Sequence, residues 1–107
     1  MNYRTLLVFL LLAAAGFAAA PDFAEWREKA EAGDANAQHN LGTLYWFGEG
    51  VPKDLVQAHV WINISAAKGT ELAQKKMPNL EKEMTDSQKE KAMDMARELF
   101  AKLPKGN

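Results

Sequence analysis

Few side chains of this 107-residue chain could do chemistry, and none stands in a spacing that chemistry requires. The two histidines, His39 and His59, are 20 positions apart. The His-x3-His and His-Glu-x2-His patterns, which stack two imidazoles on one helix face around a metal, are missing. Ser65 and Ser87, the two serines, lie outside any Gly-x-Ser-x-Gly elbow. Glu81 and Glu83 sit among lysines, as on a solvated helix, and not as a carboxylate pair for hydrolysis. Gly48-x-Gly50 lacks the Gly-Lys-Ser/Thr continuation and the preceding strand of a phosphate loop. The chain has no cysteine, which removes thiol catalysis, CxxC redox chemistry, cysteine zinc sites and a lipoprotein anchor. No catalytic residue, metal or cofactor is expected, and the chain reads as a non-enzyme.

One constellation suggests binding instead. On a helical wheel at 100° per residue with Leu41 inward, Asn36, His39, Thr43 and Trp46 fall together on the opposite side. An aromatic anchor with polar neighbours is the composition of a peptide-contact stripe. The competing reading packs Trp46 under Phe47 and against the fourth helix.

Composition narrows the class of partner. With 13 basic and 14 acidic side chains the net charge is −1, so nothing neutralises a phosphate backbone and nucleic acid is not an expected partner. The apolar share of 48% is that of a globular chain. The start is different. Arg4 precedes an apolar run from Leu6 to Ala15, and residues 5–21 carry no charge. That run is shorter than the roughly 20 residues of a spanning helix and ends in small residues, which is the pattern of a cleavable secretory leader. Pro21 disfavours a cut after Ala20, so cleavage is expected after Ala18 or Ala19. The expected organisation is a leader over residues 1–20 and one domain over residues 21–107. The location is then periplasmic or secreted, with an uncleaved N-terminal membrane anchor as the alternative.

After the leader the pattern is helical throughout, with no alternating β-branched stretch. Five helices are expected. The first spans residues 22–32, capped by Asp22 and stopped by Gly33. The second runs from Asp34 to the Gly48-Glu49-Gly50 turn, with Ala37, Leu41, Leu44 and Tyr45 inward. The third runs from the cap Asp54 to Lys68 and is apolar on both sides, as for a helix sandwiched between neighbours. The fourth starts at Thr70 and contains Pro78, which predicts a kink or break near Met77. The fifth opens with the capping box Thr85-Asp86-Ser87-Gln88 and ends at Pro104, leaving residues 105–107 as a frayed tail.

An internal repeat underlies these helices. A shift of 36 carries Ala30, Gly33 and Ala37 onto Ala66, Gly69 and Ala73, and Leu41 and Leu44 onto Met77 and Leu80. A period in the mid-thirties built from a helix pair marks an α-solenoid. Residues 35–69 read Ala37-x3-Leu41-Gly42-x2-Tyr45-x2-Gly48-x-Gly50-Val51-x2-Asp54-x3-Ala58-x2-Trp61-x4-Ala66-x2-Gly69. This resembles a Sel1-like repeat, a relative of the tetratricopeptide repeat, with Ser65 in place of one of the usual paired alanines. Residues 22–33 and 70–103 resemble degenerate flanking repeats. The resemblance implies an all-α, short solenoid of antiparallel helix pairs that works as an adaptor or scaffold by binding a protein or peptide. An accessory or regulatory subunit of an envelope enzyme or secretion complex is the alternative, and pairing with a second copy through an exposed terminal helix is a further option. Gly42 is placed where two helices approach closely, so Gly42→Leu is expected to overpack, whereas Gly42→Ala is expected to have a smaller effect that helix propensity could bring as far as neutrality.

Overall fold

The computed structural model describes residues 22–106 of the chain. The expected leader therefore lies outside the described residues. Five helices follow one another: α1 (Phe23–Glu31), α2 (Ala35–Phe47), α3 (Leu55–Ala67), α4 (Glu71–Glu81) and α5 (Asp86–Lys102), with no strand among the described residues. The all-α solenoid of antiparallel helix pairs expected from the sequence is what the structure shows.

Local chemistry sets each boundary. Asp22, Asp34 and Asp54 accept from the backbone N–H three residues on, at 2.9, 3.0 and 3.0 Å, which satisfies one orphan donor of each helix start. Thr85 and Gln88 close a reciprocal capping box at 3.1 and 2.9 Å. α2 ends at Gly48 in the left-handed region, and the returning chain is tied by the Asp54 N–H donating to the Tyr45 carbonyl at 2.9 Å. Pro78 does not break α4. The helix continues to Glu81, because a proline in the last turn forfeits only its own bond to the Gln74 carbonyl.

The repeat of 36 has a hydrogen-bonded basis beyond the alignment of small residues. The Gln38 side-chain amide donates to the Ala30 carbonyl at 3.1 Å, and the Gln74 amide donates to the Ala66 carbonyl at 3.0 Å. Each glutamine thus reaches back eight residues across a tight inter-helix turn, and those turns use Gly33 and Gly69 at φ of 100° and 96°. A β-carbon is tolerated poorly at such angles.

α3 is the central element, packed against α2, α4 and α5. Its Ala58, Val60, Trp61, Ile62 and Ile64 are buried, as are His59 and Ser65. Ser65, the departure from the repeat pattern, donates its hydroxyl to the Ala35 carbonyl at 2.7 Å and so ties α3 to the start of α2. Residues 105 and 106 of the expected frayed tail lie against the domain, and residue 107 is outside the described residues. Lys68 Nζ donates to the carbonyls of Gly33 and Lys105, and this ammonium holds residues 104–106 against the α1–α2 turn.

Candidate functional site

Asn36, His39, Thr43 and Trp46 do lie on one side of α2, but that side is not open. Asn36 is exposed and Thr43 half-buried, while His39 and Trp46 are each only 7% exposed. The reason is the corner after α4. Glu83 in that corner reaches Trp46, and Lys76 of α4 stands near enough to His39 to repel its charged form. The Trp46 indole N–H donates to Glu83 Oε2 at 3.0 Å, and its ring stacks on Phe47 at 5.1 Å between centroids. Lys53 approaches the other oxygen of the same carboxylate at 3.8 Å. The competing reading is met in part: Trp46 is buried and stacked on Phe47, but its polar partner Glu83 lies in the corner after α4 and not in that helix. Thr43 turns its hydroxyl back to the His39 carbonyl at 3.0 Å, which leaves Asn36 as the open member of the four.

His39 illustrates the cost of that burial. Its Nε2 has no hydrogen-bond partner. Its pKa lies below the ordinary 6.5, first because burial disfavours the charged ring and then because Lys76 repels it, with an Asn40 hydrogen bond acting in the opposite sense. The lowered pKa favours the neutral ring in the folded chain, and the unfolded chain takes up the proton first as pH falls. Stability is present above pH 6.5 and declines as pH drops toward the lowered folded value. We expect His39→Gln to lose less stability than the parent over that window in denaturation midpoints measured at stepped pH. Identical pH profiles would contradict this.

His59 is the other buried ring, at 1% exposure. Its Nε2 meets Glu81 Oε2 at 2.9 Å, joining α3 to α4. This is a polar clasp between two helices, and among the described residues no three His, Asp or Glu side chains gather in a way that could hold a metal.

The open chemistry lies elsewhere, on the face shared by α3 and α5. Most of the large apolar residues of α5 and its cap point inward: Met95, Leu99 and the C-cap Leu103 pack on the core, of which the buried Ala92 and Ala96 are part. Met93 and Phe100 do not, at 49% and 46% exposure. Seven positions apart, they stand on one side of α5, two turns from each other. Between them is a cavity of about 250 Å³ floored by Ile64, Ala67 and Ala96. Toward the start of α5 it continues into a depression bordered by Glu81, Asp86, Glu90 and Asp94 with Lys89 and Arg97. Toward the end it continues, past Ile64 and Phe100, into a second cavity of about 400 Å³ bordered by Lys68, Leu103, Pro104 and Lys105. The face thus runs from acidic through apolar to basic. Sequence reasoning missed it, although the signal was there: Met93 and Phe100 are an i, i+7 apolar pair displaced from the inward stripe.

No family model and no curated protein matches the chain. Among solved structures it is similar to the crystal structure of c5321, a protective antigen present in uropathogenic Escherichia coli strains displaying an SLR fold. The likeness has a TM-score of 0.72 and 29% identity over 76% of this chain, which spans 18% of the length of that protein. The Sel1-like repeat (SLR) fold is thus shown for this chain.

Proposed function

We propose that this Sel1-like repeat chain is a non-catalytic protein-binding module whose contact surface is the face between α3 and α5. The SLR fold generally mediates protein–protein interaction. The observation that carries the reading to this face is the exposure of Met93 and Phe100 on either side of an apolar cavity. Exposed aromatic and methionine side chains beside a ready-made pocket are the anchors that protein interfaces use. A photo-crosslinking side chain at position 97, on that face, is expected to join the chain to another polypeptide, and Met93→Asp is expected to abolish the adduct. The same crosslinker at position 27, on the outer side of α1, is expected to give none. Absence of any adduct from position 97 would remove the reading.

The proposed place of action is the periplasm or the extracellular space. The support is the basic start, the short apolar run and the small residues before Pro21. The exported protein is expected to begin at Ala19 or Ala20, which intact-mass measurement reads directly. A membrane-bound product that keeps residues 1–18 would instead mean an N-terminal anchor.

A further inference from the structure

The α3–α5 face has an order that suits one occupant in particular. Its start is bordered by four carboxylates and one lysine besides the shared Arg97. Its middle is apolar, with Met93 and Phe100 as knobs beside the Ile64, Ala67 and Ala96 floor. Its end is bordered by Lys68 and Lys105 and by no carboxylate. A two-fold axis through the middle, between Ala96 and Arg97, would reverse this order on a second copy. Acidic start would then face basic end twice, and Met93 of one copy would meet the partner copy's Phe100. Such an isologous contact requires a surface complementary to itself under rotation, and a run from acidic to basic along one face has that property. The antiparallel alignment also sets the negative end of each α5 macrodipole beside the positive end of the other.

We propose that this protein pairs with a second copy of itself through antiparallel α5 helices across the α3–α5 face. This rests on the reading of that face as a protein-binding surface. Each substitution at a two-fold interface counts twice. Phe100→Asp is therefore expected to raise the dimer dissociation constant at least thirtyfold, the loss typical of an interface anchor, as is Met93→Lys. Glu90→Lys and Lys105→Glu are each expected to weaken pairing about fivefold, to do so less at high salt, and to restore it when combined. Sedimentation of the exported wild-type protein and these variants from low to high micromolar concentration measures all of this. Helical circular dichroism confirms that each variant is folded. A concentration-dependent dimer lost in both knob variants and recovered in the charge swap supports the proposal. A wild-type protein that stays monomeric throughout overturns it. The mass of the adduct from position 97 separates the two levels. An adduct of twice the chain mass supports self-pairing. An adduct with a different protein overturns self-pairing and leaves the binding face standing. No adduct overturns both.

Discussion

Replacing Trp46 with alanine is expected to destabilise the fold by about 3–5 kcal/mol, the range for deleting a buried aromatic ring. The residue is 7% exposed, at the junction where the end of α2 meets the corner between α4 and α5. Its removal leaves a cavity, unstacks Phe47 and frees Glu83 from its indole partner at 3.0 Å. Glu83 is half-exposed and can turn to water, so most of the loss comes from the ring and not from the hydrogen bond. Trp46→Phe should consequently recover most of the stability and fall about 1 kcal/mol short. Small domains hold only about 5–15 kcal/mol in total, so the alanine variant should show a large drop in its urea midpoint, followed by circular dichroism. An unchanged midpoint would mean that the corner between α4 and α5 does not hold the ring in solution.

Gly42→Leu is the second large effect, at about 3 kcal/mol or more of destabilisation. A β-carbon built on Gly42 would stand 2.5 Å from Ile62 Cγ1, 3.0 Å from the Ala58 carbonyl oxygen and 3.1 Å from the Ile62 nitrogen. Two of those three atoms are backbone, so the helices must move apart to admit any side chain. This places Gly42→Ala short of the neutrality that the sequence allowed as its limit. The gain in helix propensity is about 1 kcal/mol, and separating α2 from α3 along a close-packed line costs more, so the alanine variant should also be destabilised, by about 1 kcal/mol. A denaturation midpoint at or above the parent value for Gly42→Ala would show that α3 gives way cheaply.

Much of the fold was legible because its signals are local. Asp22, Asp34, Asp54 and Thr85 each cap the helix that their sequence position announces. The glycines near the turns adopt the positive φ that only they adopt cheaply. The periodicity of Ala37 and Leu41, and the two-sided apolar character of α3, named most of the core. The repeat at 36 was visible in its small residues, and Gln38 and Gln74 obey the same shift through hydrogen bonds that composition alone does not reveal.

The site was harder to read, because a helical wheel distinguishes the sides of one helix and not which neighbour covers them. Asn36, His39, Thr43 and Trp46 share a side of α2 as the wheel requires, yet His39 and Trp46 are buried there, Trp46 against the corner after α4. Met93 and Phe100 share a side of α5, and among the described residues nothing covers it. The polar character of His39 suggested exposure, and packing reversed it. The chain sequence by itself determined the helices, their caps and turns and the repeat, since each depends on residues within a few turns of one another or on spacing along the chain. Only the tertiary structure decided which helix faces are paired and which remain open, since that depends on contacts between residues such as Trp46 and Glu83, 37 positions apart.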